Sequence, residues 1–554
     1  MKKNVLNSMN VAKFTVACLA GFFAFLGNIT AQNVQWKKHF GGDNRDYYYA
    51  ATEVPDGIVA VGSSYFTNMG TGDWDGITGK GGEDAIIVKY SKSGNLIWKT
   101  HFGGLSNDFF YGVITVPDGV VAVGETWSSS TNSGDWTEDT GKGGAAIVKF
   151  DLNGSVVWKK RFGGDKFNSI VAVSDGLVAV GFARESDFGS GDWENIPGNG
   201  GEDAIIVKFN SNGEMVWRKC FGGSGNDHFN SVTAVFDGVV ATGYSSESSF
   251  GAGDWEGVTG KGGNDAIIVK YDNNGIMVWK NHFGGSDHDK FLGVTTISDG
   301  VVAVGYSYER SFGNGDWTGT NKKGMEDAII VKYYNNGNLA WKKNFGHPSG
   351  ENWFYDVTTL SDGIAAAGYT YYPGGGDWGN IEERGEDDAA IVKFNNSGNV
   401  VWKSHFGGWG DDRFHGVTAV SDGIVAVGYS ENLSFYNDGD WEGVDGRGDD
   451  DAIIVKFTGG NAGITKTKQE TNIKVYPNPT NGQLKIKNYE LKEIGVIEIF
   501  DVFGRIVVEA SLCVRPSEIE QSEIEIDVSQ LSSGVYFVKI KTDKGELIEK
   551  VIKK

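Results

Sequence analysis

Proline and cysteine are scarce in this chain of 554 residues, at 8 and 3, and the 50 basic residues fall short of the 72 acidic ones. So few prolines beside 83 glycines argue against a disordered composition and for many tight turns. A formal charge of −22 argues against nucleic acid and anionic membrane surfaces as partners. Beyond residue 31 no apolar run approaches the roughly 18 residues of a membrane span, so no transmembrane segment is expected in the mature chain. Before that point Lys2, Lys3 and Lys13 precede an apolar run over 14–26, short for a span. The small residues ending at Ala31 suit cleavage there, and 1–31 reads as a signal peptide. Cys18 lies within that run rather than at its end, which disfavours a lipid anchor. Cleavage removes three lysines and no acids, taking the charge to −25, and leaves only Cys220 and Cys513, too few and too far apart for a disulfide framework.

What fills the chain is repetition. A Trp-Lys or Trp-Arg pair recurs seven times from Trp36 to Trp402, roughly 61 residues apart. An Asp-Gly pair (Asp56 to Asp422), a Gly-Asp-Trp motif (Trp74 to Trp441) and an Ala-Ile-Ile-Val-Lys run or close variant (ending at Lys89 to Lys456) also each occur seven times. In the fourth copy, β-prone runs over 229–236, 239–245, 265–271 and 276–283 are joined by Asp237-Gly238, a loop of about twenty residues with Trp255, and Asn273-Asn274-Gly275. Asp-Gly and Asn-Gly between apolar runs are hairpin signals, and four antiparallel strands per repeat make a propeller blade. The wholly apolar third run is a strand covered on both faces. The alternation of Trp279 and Phe283 with Lys280 and His282 marks a half-exposed outer strand, which places the strand after Phe-Gly-Gly innermost. A Trp-Lys strand at 33–40 precedes every other blade element and the seventh repeat lacks one, so the N-terminal strand is expected to complete the last blade. The fold class is all-β: a seven-bladed β-propeller over 33–458.

Asp299-Gly-Val-Val-Ala-Val-Gly-Tyr306 and the run Asp327 to Lys332 resemble the bacterial seven-bladed β-propeller repeat family of SBBP type. That resemblance implies the fold and leaves the ligand open, because propellers host many functions. Strand parity puts the tight turns at one face and the long Gly-Asp-Trp loops with the blade-to-blade loops at the other. Loops held by a rigid scaffold are where binding residues concentrate. The seven repeated tryptophans read as plugs beside their own blades, with sugar stacking the alternative. The unrepeated aromatics Trp127, Trp353, Trp409, Tyr371 and Tyr372 are the candidate ligand-binding residues. Asp46, Asp108, Asp227, Asp289 and Asp412 open five innermost strands, and the third blade has lost the position. Capping of turn amides explains them better than calcium, the one cofactor considered. His39, His101, His282 and His405 share one rim position with Arg161, Cys220 and Asn344, and are expected to be surface residues. No hydrolase, zinc-protease or P-loop motif occurs, no catalytic residue is assigned, and the Gly-Asp-Trp motif does not match the boxes of sialidase-like propellers. Paired carboxylates for glycoside cleavage stay open.

The repeats stop near residue 459. A polar stretch over 459–472 reads as a linker, and 473–554 as a small β-sandwich with strand-like runs over 496–502, 535–541 and 546–554 and an acidic insertion over 518–525. The motifs around Tyr476, Pro477, Asn478 and Pro479, around Gly504 and Arg505, and around Gly534 and Tyr536 resemble the type A C-terminal sorting domain of the type IX secretion system of Bacteroidota. The resemblance implies passage across the outer membrane and removal by a sortase-like protease. The expected protein is an exported cell-surface or secreted binding scaffold for a glycan, polymer or protein. The alternatives are a polysaccharide hydrolase or lyase with its site in the central funnel, or a purely structural spacer.

Overall fold

A computed structural model describes residues 34–458, apart from 131, 138–142, 349, 372–374, 380, 382–383 and 437–438. In the tail it describes 473–476, 480–488, 494–501, 506–511, 523–531, 534–542 and 545–553. The expected signal peptide (1–31, ending at Ala31), the expected linker (459–472), and Tyr372, Pro477, Asn478, Pro479, Gly504 and Arg505 lie outside the described residues. Two compact units divide between Ala462 and Gly463.

The first unit consists of seven four-stranded antiparallel sheets, and the described residues hold no α-helix. In the fourth sheet the strands are Asp227–Val235, Gly238–Ser246, Asn264–Asp272 and Met277–Phe283, within two residues of the runs read from the sequence. Six sheets take their strands in sequence order. The seventh is built from Asp412–Val420, Gly423–Glu431, Asp450–Phe457 and, as its fourth strand, Val34–Phe40. Phe40 pairs with Ala452 and His39 with Ile453 in that sheet. The first strands pack side by side from sheet to sheet: Asp46–Val54 meets Asp108–Val116 on one flank and Asp412–Val420 on the other. Such repeated sheets are consistent with a β-propeller.

Each repeated motif has a local task. The Gly of Gly-Asp-Trp sits at φ between +49° and +60° in all seven copies, a left-handed turn that favours glycine. Its Asp accepts the first Gly N–H after the Phe that ends the preceding strand, as Asp135 does from Gly103 at 2.9 Å and Asp254 from Gly222 at 3.0 Å. Its Trp is at most 1% exposed in every copy. Trp136 Nε1 donates to Asp108 at 3.1 Å and Trp317 Nε1 to Asp289 at 3.0 Å. The tryptophans are therefore plugs, and the first-strand aspartates hold turn amides as well: Asp289 also accepts from Gly285 N at 2.9 Å and Ser311 Oγ at 2.8 Å. The lysine closing each third strand reaches the Asp of its own Asp-Gly turn, as Lys332 does to Asp299 and Lys456 to Asp422, both at 2.7 Å.

One expectation is corrected. The rim histidines are not free surface groups: His39, His101, His282 and His405 each pair through Nδ1 with a buried Asp (Asp451, Asp84, Asp265, Asp388) at 2.7–2.8 Å. The cause is register, because that position lies diagonally across from the aspartate in second place on the third strand. Asn344 makes the same contact to Asp327 at 2.7 Å.

The second unit holds a three-stranded sheet (Ile473–Tyr476, Gln483–Asn488, Glu523–Asp527) and a four-stranded one (Ile506–Ser511, Ile494–Asp501, Gly534–Thr542, Gly545–Lys553). Leu484, Ile486 and Ile526 from the first share one apolar core with Ile497, Ile499, Val538 and Ile540 from the second, as in a small sandwich. Part of the acidic insertion is a strand and not a loop. Glu523 and Glu525 pair with Lys487 and Lys485, the latter pair closing an ion pair at 2.8 Å, while the alternation carries Ile526 into the core.

Candidate functional site

All seven first strands carry a β-bulge at the same place, just after the buried aromatic that follows the opening Asp or its equivalent. A bulge adds a residue and re-aims side chains. The bulged residues are Tyr49, Tyr111, Asn168, Asn230, Leu292, Tyr355 and His415. Two residues before each comes Tyr47, Phe109, Lys166, His228, Lys290, Trp353 or Arg413. These positions differ from sheet to sheet while the residue between them stays Phe or Tyr. Together they form a lining shared by neighbouring first strands.

The lining is polarised. Tyr355, His415, Tyr49 and Tyr111 come from four successive sheets, and each ring lies 5.2–5.4 Å from the next. On the other three sheets stand Asn168, Asn230 and Leu292, with Asn168 Nδ2 donating to Phe229 O at 2.9 Å and Asn230 Nδ2 to Phe291 O at 2.8 Å. Burial raises Tyr49 to about 12 and Tyr355 in the same direction, so both hydroxyls stay protonated donors. Burial first, and Arg413 second, lower His415 to about 4, so this ring is neutral. The buried Nδ1 of His415 meets no hydrogen-bond partner among the described residues.

At the position before the bulge, side chains reach back to the preceding sheet. His228 stacks on Phe182 at 3.9 Å and Trp353 on Tyr306 at 3.9 Å, while the Arg413 guanidinium lies 4.3 Å over Tyr369 and the Lys290 ammonium 4.1 Å over Tyr244. Four of these residues also engage the acid that opens that sheet's third strand. Tyr47 donates to Asp450 at 2.5 Å, His228 pairs with Glu202 at 2.7 Å, Trp353 donates to Glu326 at 2.5 Å and Arg413 Nε to Asp387 at 2.9 Å. The series breaks where Lys166 faces Gly144 and Lys290 faces Asn264, which are not acids, and between the first and second sheets, where the acid is present. Phe109 has no donor for Glu83, whose carboxylate accepts from Ser63 Oγ at 3.3 Å and is raised by burial.

The described members of the expected ligand set are spread over three sheets, with Trp353 and Tyr371 both on the sixth. Trp353 belongs to the lining, while Tyr371 ends the strand Gly363–Tyr371 and is half-buried. Trp127 is 51% exposed beside a cleft of about 570 Å³, and Trp409 is 69% exposed in the loop before the seventh sheet's first strand. In the tail Gly534 opens a strand, and Tyr536 and Tyr476 are half-buried. Among the described residues no three His, Cys, Asp or Glu side chains converge as metal ligands. The lining carries no residue common to all seven copies, so the periodicity that reveals the blades does not reveal it. Its signal is a variable residue between two near-constant ones: the position two before each bulge lies between an Asp or Asn and a Phe or Tyr in all seven copies.

Residues 474–554 match the model of the secretion system C-terminal sorting domain. The chain thus carries a type IX sorting domain, which engages that machinery and directs export to the cell surface or secretion. No helix among the described residues is long and apolar enough to cross a membrane. No curated protein matches the chain. Similar solved structures include PorZ, a bacterial surface component of the type IX secretion system of Porphyromonas gingivalis, at 11% identity over 93% of this chain and 60% of that one, with a TM-score of 0.38. Sqt1 of Chaetomium thermophilum is 9% identical over 77% of this chain and 100% of its own, at 0.37. A mutant apocarotenoid oxygenase of Synechocystis is 10% identical over 72% and 88%, at 0.34.

Proposed function

We propose that the first unit is a closed seven-bladed propeller that binds a glycan at its axial lining, carried out of a Bacteroidota cell by its tail. Closure is supported by the pairing of Val34–Phe40 with Asp450–Phe457 and by the packing of Asp46–Val54 on Asp412–Val420. A signal peptide ending at Ala31 and removal of the tail by a sortase-like protease complete the export route.

The observation that carries the binding reading is the polarised lining: unrepeated side chains on a repeated frame, with the aromatic arc from Tyr355 to Tyr111 on one side and amides on the other. Aromatic faces suit the apolar faces of sugar rings, and hydroxyl, amide and carboxylate groups suit their hydroxyls. The carboxylates Asp450, Glu202, Glu326 and Asp387 are each engaged by a neighbouring side chain, which favours binding over hydrolysis. The test is a screen of the full exported protein against neutral, anionic and cationic glycans, with and without calcium, recording both retention and cleavage. Retention without cleavage, lost in a Tyr49→Ala, Tyr355→Ala double variant, is expected. Release of shorter saccharides would move the assignment to an enzyme.

A further inference from the structure

The third sheet departs from the repeat in a way that opens a cavity. Between the Phe ending the previous fourth strand and the Phe of the first strand, most copies have seven intervening residues, as from Phe221 to Phe229, but Phe162 and Phe167 are separated by only four. Elsewhere the additional residues cover the start of the preceding sheet's third strand. Gly82 N donates to Ser106 O at 3.2 Å, Gly201 N to Gly225 O at 3.0 Å and Gly263 N to Asp287 O at 3.1 Å. Over Gly143 and Gly144 of the second sheet those covering residues have no counterpart.

Two further changes fall at the same place. Asn68, Ser130, Ser249, Ser311 and Ser434, each fully buried, tie down that loop's aspartate in five of the other six sheets, whereas the third sheet has Asp187 here, accepting from Arg184 N at 3.1 Å. The position that carries an acid in the first, third, fifth, sixth and seventh sheets is Gly144 in the second. The outcome is a cleft of about 570 Å³, within the roughly 300–1,000 Å³ of small-molecule sites.

Trp127 forms one wall. Its Nε1 donates to Glu125 at 3.4 Å, and Glu125 also accepts from the lining residue Tyr111 at 3.0 Å. Opposite, Arg184 pairs with Asp165 at 2.9 Å. Three carboxylates (Glu125, Asp165, Asp187) against one guanidinium disfavour a polyanion, and the polar lining disfavours an apolar peptide anchor.

We propose that this cleft is a subsite for a neutral hexopyranose or pentopyranose unit, stacked on Trp127 and hydrogen-bonded through its hydroxyls to Glu125, Asp165 and Arg184. The inference rests on the glycan-binding reading and names one subsite within it. Cellohexaose, xylohexaose, mannohexaose and laminarihexaose are titrated calorimetrically into the full exported protein. At least one binds, and Trp127→Ala weakens it tenfold or more while Tyr436→Ala, at an exposed aromatic of the seventh sheet's long loop, leaves it unchanged. Inserting Ser-Gly-Asn after Gly164, which restores the covering loop, abolishes the same binding without lowering the melting temperature. Unaltered affinity in Trp127→Ala would overturn the cleft and leave glycan binding standing elsewhere. No binding of any of the four by the unmodified protein would overturn the subsite, and retention of glycans in the wider screen would still decide the broader reading.

Discussion

His228 lies flat on Phe182, ring centroids 3.9 Å apart and planes 4° from parallel, with Nε2 2.7 Å from Glu202 and Nδ1 3.0 Å from the Tyr244 hydroxyl. Burial lowers the imidazole below its ordinary range despite the carboxylate, so the neutral ring donates from Nε2 and accepts at Nδ1. Two adjoining sheets are joined by one side chain that uses its face and both nitrogens.

The first prediction concerns that ring. In an NMR titration His228 stays neutral at pH 6, and Tyr244→Phe, which frees Nδ1 for a proton, raises its pKa toward 6.5. Because the folded value is depressed, its contribution to stability is present above pH 6.5 and declines as the pH falls through the folded pKa.

A second pH effect has the opposite sign. Burial raises Asp46 to about 7 and Asp412 to about 8, with their hydrogen bonds offsetting only part of it. For an acid raised on folding, stability is full below the unfolded value and is lost as the pH rises through the folded one. The melting temperature is therefore expected to rise as the pH is lowered from 8.5 to 6.5, with a shallower slope in Asp412→Asn. Each such group contributes at most about 1.4 kcal/mol per pH unit.

The Asp–Trp clamp gives a third prediction. Asp289→Ala strands the donors of Gly285, Ser307 and Ser311 and leaves the Trp317 indole with Ser307 alone, and a buried donor left unsatisfied costs about 1–3 kcal/mol. Denaturant titration should register a loss of at least about 3 kcal/mol. Asp289→Asn should cost less, because Asn352 already takes the indole N–H of Trp378 at 3.0 Å in the sixth sheet.

Much of this scaffold was legible in the sequence, and the reason is redundancy. Seven copies of Gly-Asp-Trp and of the all-apolar third strand average out local ambiguity, so strand order and the place of Val34–Phe40 could be read directly. The bulges could not, since a bulge leaves no motif beyond a changed pairing. The pairing of His101 with Asp84 was hidden because it joins strands through register rather than through neighbours in sequence. In the tail, with one copy of everything, the short strands Ile473–Tyr476 and Glu523–Asp527 escaped notice.

Ring closure predicts an asymmetry between deletions. Removing 34–40 exposes the edge of Asp450–Phe457 and uncovers Ala452, Ile453 and Ile454, so the melting temperature should fall by many degrees. Removing an equal length from 459–472 should leave it unchanged. Equal effects of the two deletions would refute closure.

Export is tested by truncation after Gly459. The shortened chain is expected to accumulate in the periplasm while retaining the melting temperature of the first unit, and undiminished surface display would contradict the sorting role.

Because the Trp plug, the Lys–Asp clasp and the glycine turn are supplied afresh within every repeat, each blade is held mainly by groups other than the fourteen side chains at the bulges and two residues before them, which instead tie neighbouring sheets together. Evolution can therefore exchange those side chains one repeat at a time, like type in a fixed printer's forme, and related chains sharing the frame can acquire different appetites without relearning how to fold.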